Sequence, residues 1–333
     1  MRSVFFPQLV NGPFGDPALY VHCAHRGEAL LFDLGDLHPL SPREILKLRA
    51  VFVSHGHIDH LAGFDALLRT LLYRPTELLL CGPPGFASAI GTRLAGYTWN
   101  LIESYPFVLT VREAQTGVTV RFRAGNAFRP EAITAEPEPG DVLLETPAYR
   151  VRAVPLDHGG IISLAFVLEE PLHVAIHKDA LERDGLATGP WLGAFKDLLR
   201  AGAPRDTPVC APKDDGSSTT CPLETLAARI AHCERGMKIA YVTDASPTPK
   251  NLERIAELAA DAHLLAIEAV FADKDRDRAA QRNHLTARLA GELARRAGAA
   301  RLLVFHHSPR YLKTPELLAE EARQAFQDTT TIR

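Results

Sequence analysis

Three imidazoles and a carboxylate fall within six residues, His55-Gly56-His57-Ile58-Asp59-His60, directly after the apolar run Ala50-Val51-Phe52-Val53. The cluster therefore sits where a buried strand meets a loop. Imidazole nitrogen and carboxylate oxygen are the donors that Zn²⁺ and its neighbours prefer. Two histidines one residue apart can grip one ion from a tight turn, and an Asp-His pair just beyond can grip a second. Histidine makes up 14 of the 333 residues, so chance clustering of this kind is improbable.

The surrounding pattern alternates strands and helices. Leu30 to Gly35 reads as a strand ending at a glycine turn, Arg49 to Ser54 as a second, and Gly63 to Leu72 as the helix that follows. Glu77 to Pro83 is a further strand stopped by Gly-Pro. Strand, loop, helix, strand is the rhythm of a layered α/β fold. From about 107 to 166 the chain favours β structure, with half-buried alternation over Val118–Phe122 and Tyr149–Val154 and a turn-rich break at 137–140. Lys178–Leu186 and Trp191–Arg200 read as short helices, and Asp214–Ser218 as a loop. Core strands return at Lys238–Asp244, Leu264–Ala269 and Leu302–Phe305, with an amphipathic helix over Leu285–Ala297.

Composition removes several classes. The net charge of −3 gives no support to a protein that coats nucleic acid generally. The basic runs Arg276–Arg282 and Arg295-Arg296 are expected to be solvated helix faces. No apolar run approaches the roughly 20 residues of a membrane-spanning helix. The N-terminal stretch is quickly broken by Pro7, unlike a secretory signal, and the five cysteines (23, 81, 210, 221, 233) lack CxxC spacing. Free thiols and a cytoplasmic location are the expectation.

A two-metal site needs more ligands than one turn supplies. His158 follows Val154-Pro155-Leu156-Asp157, Asp244 ends one core strand, and His306 ends another. Asp244 suits a bridging role, since each carboxylate oxygen can bind one ion. In this order the residues resemble the metallo-β-lactamase fold and, more narrowly, the ribonuclease Z family of tRNA 3′-end endonucleases. The narrower likeness rests on Pro155-Leu156-Asp157-His158, on Asn283-His284-Leu285-Thr286 (similar to the family's H-S-T motif), on His306-His307-Ser308-Pro309-Arg310-Tyr311 (similar to H-F-S-x-R-Y), and on the stretch from Gly189-Pro190-Trp191 to Gly202. It runs from about residue 28 to 312.

The resemblance implies an αβ/βα four-layer sandwich of two facing mixed β-sheets. It implies one domain over 1–333 with an arm-like insertion at about 168–235, and a homodimer. His55, His57 and His158 would hold one Zn²⁺, Asp59, His60 and His306 a second, and Asp244 would bridge them. Mn²⁺, Fe²⁺ or Co²⁺ could take the same site. A metal-bridging hydroxide would be the nucleophile, oriented by Asp59. His284 would donate to the phosphate or the leaving oxygen, and Glu268 would orient His284. His307 stands at a family Phe position and is expected to pack beside the site; His173 and His177 are expected on the surface.

The chain also departs from the pattern. Ile267 stands where the family has the His of its HEAT motif, Ala187-Thr188 replaces prolines near the arm, and the loop Pro7–Pro17 lacks basic residues. The leading reading is removal of 3′ trailers from precursor tRNA. The alternatives are a phosphodiesterase on small or cyclic diesters, a thioester or lactone hydrolase, and a metal-binding scaffold that grips RNA without cutting.

Overall fold

The computed structural model describes residues 4–133 and 141–328; the expected break at 137–140 lies outside them. Its contacts divide the chain into two compact bodies, one formed by 1–143, 152–167 and 238–333, the other by 144–151 and 168–237.

The first body is a sandwich of two mixed sheets, as expected. One sheet has eight strands in chain order: Phe5–Leu9, Leu19–Cys23, Glu28–Phe32, Leu48–Phe52, Glu77–Gly82, Val108–Glu113, Thr119–Arg123 and Pro130–Ile133. Its middle is parallel, because Leu48–Phe52, Glu77–Gly82 and Val108–Glu113 are joined by the helical crossovers Phe64–Leu71 and Phe86–Ala95. The other sheet has the order Leu302–Phe305, Leu264–Glu268, Lys238–Val242, Ile161–Glu169, Arg150–His158, Val142–Glu145.

The sheets meet through aromatic side chains. Phe32 and Phe52 stack with centroids 5.2 Å apart, each lies 5.8 Å from Phe166, and Tyr241 joins Phe32 at 5.8 Å. Burying such rings contributes about 1.5–3 kcal/mol each. The outer faces are covered by helices. Phe64, Leu67 and Leu71 pack on the first sheet; Ile255, Leu293 and Leu318 belong to the core of the second. Thr248 and Thr286 cap the helices Pro249–Leu258 and Ala287–Arg296 by accepting from Asn251 N and Leu289 N.

The second body has its own small core, with Leu181, Phe195, Leu223, Leu226 and Ile230 at its centre. Its helices include Lys178–Arg183 and Trp191–Arg200, close to expectation. It also contains two two-stranded sheets, Leu172–Ile176 with Ala231–Arg235 and Pro208–Pro212 with Ser218–Pro222. His173 corrects the sequence reading: it is buried, with Nδ1 3.1 Å from Glu170 Oε2, and Arg200 also pairs with Glu170 at 3.3 Å. A buried carboxylate needs such partners, and they draw the imidazole inward.

All five cysteines are unpaired in the structure. Among the described residues no helix is long and apolar enough to cross a membrane.

Candidate metal centre

Every residue of the centre lies at a strand end of the first body. The strand Leu48–Phe52 feeds Ser54 and the His55–His60 turn, whose last three residues form a short 3₁₀ helix. That turn is locked to the end of the neighbouring strand. Leu34 N donates to His60 O (3.0 Å), Gly63 N donates to Leu34 O (2.9 Å), and Leu164 N donates to Ser54 O (2.9 Å). Position 63 must be glycine, since a Cβ there would lie 2.2 Å from Gly35 O. His158, Asp244 and His306 end three strands of the second sheet. Asp33, Asp244 and His306 hold φ values of 58°, 44° and 60°, and such strain in non-glycine residues gathers at functional sites.

Asp244 stands at the centre. Its Oδ2 is 3.5 Å from His55 Nε2, 3.4 Å from His158 Nε2 and 3.6 Å from His60 Nε2; its Oδ1 is 2.8 Å from His306 Nδ1. Asp59 Oδ2 lies 3.3 Å from His306 Nε2 and 3.4 Å from His60 Nε2. Ligand atoms of His55, His57, His158 and Asp244 fall within 4.8 Å of one another, as do those of Asp59, His60 and His306. The seven residues singled out in the sequence as ligands are thus brought together.

This geometry fits a divalent cation. His55 Nε2, His60 Nε2 and His306 Nδ1 are buried and make no hydrogen bond, even though a carboxylate faces each of them. Donors that converge on a carboxylate without bonding to it are aimed at a point between. Bonds of 2.0–2.1 Å to a tetrahedral ion set ligand atoms about 3.3 Å apart, which most of these separations approach.

Electrostatics divides the cluster. Burial, reinforced by the charge of His60, pushes the His55 imidazole down to about 3. Burial and His158 also lower His57. Burial opposes protonation of His60 as well, but Asp33, Asp244 and Asp59 overcome it and hold that imidazole well above its ordinary value. Asp244 and Asp59 likewise overcome burial at His306 and raise it to about 10.

Outer contacts aim the rings. His158 Nδ1 donates to the Asn283 carbonyl (2.9 Å), which turns Nε2 inward. Asp33 Oδ2 lies 2.9 Å from His60 Nδ1 and accepts from Ser54 Oγ (3.0 Å) and Tyr241 Oη (2.8 Å). Asn251 accepts from Asp157 N and donates to Asp157 O and Ser246 O, joining the strand end before His158 to the loop after Asp244.

His284 flanks the cluster, with its ring 5.1 Å from that of His158 and 5.7 Å from that of His306. Its Nδ1 is 2.8 Å from Glu268 Oε2. Glu268 is fully buried and also accepts from Ala245 N (2.9 Å) and Leu285 N (3.2 Å). Burial would lower the His284 pKa, but Glu268 raises it.

A family model described as a beta-lactamase superfamily domain matches residues 31–195. A ribonuclease Z of Deinococcus radiodurans is 36% identical over 313 residues, covering 91% of this chain and 90% of that relative. The chain belongs to the ribonuclease Z family. A ribonuclease Z of Methanothermobacter thermautotrophicus is 29% identical, covering 91% of this chain and 84% of its own. Among solved structures, the metallo-beta-lactamase fold protein YhfI of Bacillus subtilis superposes with a TM-score of 0.53 at 17% identity, covering 96% of this chain and 92% of its own; that likeness concerns the fold.

Within this ribonuclease Z frame the departures have structural homes. Ile267 is fully buried in the central parallel strand, paired in register with Val242 and Val304, and belongs to the apolar core of that sheet. His307 is buried edge-on against Phe14 with centroids 5.1 Å apart, and its backbone N donates to Pro13 O. That contact seats the N-terminal loop beside His306. Asn11 braces the loop by donating to Asp16 O and Asp36 O.

Proposed function

We propose that this protein is a divalent-metal-dependent endoribonuclease that removes 3′ trailers from precursor tRNA. The observation that carries the reading is the gathering of five imidazoles and Asp59 around Asp244, with a Glu268-anchored imidazole beside them. His55, His57 and His158 would hold one ion, Asp59, His60 and His306 the other, with Asp244 between; Zn²⁺ suits this nitrogen-rich set best. Two such ions supply Lewis acidity and a water-derived nucleophile at neutral pH.

The protein's own groups do the rest. Asp59 accepts a hydrogen bond from the attacking water and orients it; the proton that this water loses passes to solvent, from which His284 regains the one it gives up. The new bond forms between that oxygen and phosphorus, and the bond from phosphorus to the 3′-oxygen breaks with its electron pair on oxygen. His284 Nδ1–H donates to Glu268, so the transferable proton sits on Nε2, from which it passes to the departing 3′-oxygen. Glu268 keeps that imidazole protonated to higher pH than an unpaired histidine. The mature RNA leaves with a 3′-hydroxyl and the trailer with a 5′-phosphate.

A second reading, hydrolysis of small or cyclic phosphodiesters, is favoured by one observation. The loop beside His306 carries Asp16 and no basic residue. An acidic rim penalises a polyanion. The test is metal analysis with parallel assays on precursor tRNA and on bis(p-nitrophenyl) phosphate. Trailer release to a 3′-hydroxyl supports the first reading; turnover of small diesters alone supports the second. The family resemblance adds the expectation of a homodimer, which light scattering on the purified protein checks.

A further inference from the structure

His284 faces two ways. One side meets the metal cluster; the other lines a groove of about 600 Å³ that runs along Arg276–Gln281 and the start of Ala287–Arg296. This volume lies within the roughly 300–1,000 Å³ of small-molecule sites. Pro247, Ala280 and Leu289 give the groove apolar wall. Its charges are matched within it, with Arg276 2.7 Å from Asp273 and Arg288 3.0 Å from Glu292. Asp277 adds a third carboxylate against the two arginines. A lining whose arginines are already paired does not suit a run of phosphates, which needs uncompensated cations. Apolar wall with a hydrogen-bonding rim suits one sugar and base.

An in-line displacement places the attacking and departing oxygens on opposite sides of phosphorus. If His284 serves the departing 3′-oxygen, the space beyond His284 lies on the side of the residue that carries that oxygen. We propose that this groove binds the nucleoside whose 3′-oxygen departs, the last residue of the mature RNA, while the trailer lies elsewhere. The inference rests on the ribonuclease reading above.

The groove can be filled without touching the machinery, because Ala280 is exposed on a surface helix. The probes are two hairpin RNAs that mimic the product, one ending in a single unpaired 3′ nucleotide and one blunt. Binding to the zinc-loaded protein is read by fluorescence anisotropy. The wild-type protein should prefer the overhanging hairpin by about tenfold or more. Ala280→Trp, and independently Ala280→Glu, should reduce that preference to within about twofold. Both variants should turn over bis(p-nitrophenyl) phosphate near the wild-type rate, which reports an intact centre. For Ala280→Trp, which adds no charge, the salt dependence of binding should stay unchanged, since each lost phosphate contact would lower its slope by about 0.7.

Variants that keep the preference would overturn the groove assignment, as would an Ala280→Trp slope reduced by one phosphate or more. Those outcomes leave precursor tRNA cleavage by the wild type intact. A wild-type protein that cuts no precursor tRNA would instead sink the reading on which the assignment rests.

Discussion

On one side of Asp244, His55 is held neutral down to about pH 3 and the His57 imidazole is lowered too; on the other, His306 keeps its proton up to about pH 10 and His60 well above its ordinary value. Both sides draw on one short turn, and each takes one fully buried imidazole from it, His55 and His60. The difference lies in the carboxylates. Asp33 and Asp59 make their direct imidazole contacts on the His60–His306 side, whereas His158 is oriented by a neutral carbonyl. A cation entering the first side finds free lone pairs. A cation entering the second must displace protons that three carboxylates have drawn in. Two pockets that share a ligand type can therefore differ in how their occupancy responds to pH.

The largest effect should come from removing what the halves share. Asp244→Ala should reduce bound metal on both sides and take diester turnover to background; metal analysis beside a kinetic assay checks it, and full metal content in the variant would break the picture of a common carboxylate. Next comes His284→Ala, which belongs to neither half. Metal content should be unchanged, while turnover of RNA falls by about 10²–10⁴. The loss should be smaller on bis(p-nitrophenyl) phosphate, whose leaving group needs no proton. Loss of metal in this variant would remove His284 from the role of acid.

The pH dependence separates the halves directly. Raised histidines stabilise the metal-stripped fold fully below the ordinary value of about 6.5. That stability is lost as pH climbs towards about 10, the value for His306. Metal should substitute for the missing protons. Metal-stripped protein should thus lose thermal stability from about pH 6.5 upward, while loaded protein should not. Affinity at the second side should climb about tenfold per pH unit for each proton displaced, against little change at the first. Parallel pH profiles for both sites would erase the distinction. The smallest change is Asp33→Asn, which keeps the shape and removes the charge behind His60. It should weaken the second site by about 10–100-fold and flatten its pH dependence, with the first site nearly untouched.

Much of this centre was legible in the sequence. The His55–His60 run supplies four candidate ligands within one turn, and His158, Asp244 and His306 each follow an apolar strand, so their strand-end positions could be read locally. Asp33 could not. It looks like an ordinary residue before a glycine turn, and its role arises only because the Glu28–Phe32 and Leu48–Phe52 strands run parallel and end together. Asn251 reads as a helix residue, yet its amide splices two ligand loops, a contact spanning 94 residues. The two-stranded sheets of the second body escaped notice because sequences such as Ser218-Thr219-Thr220-Cys221-Pro222 show no apolar alternation. His173 was misplaced because the carboxylate that draws it inward belongs to Glu170, just before its strand, with Arg200 arriving from a later helix.

The most direct measurement is an anomalous-scattering map from crystals of the zinc-loaded protein. Two peaks about 3.5–4 Å apart are expected, one against His55, His57 and His158, the other against Asp59, His60 and His306, with Asp244 between them. A single peak, or metal bound away from Asp244, would contradict the shared-carboxylate centre.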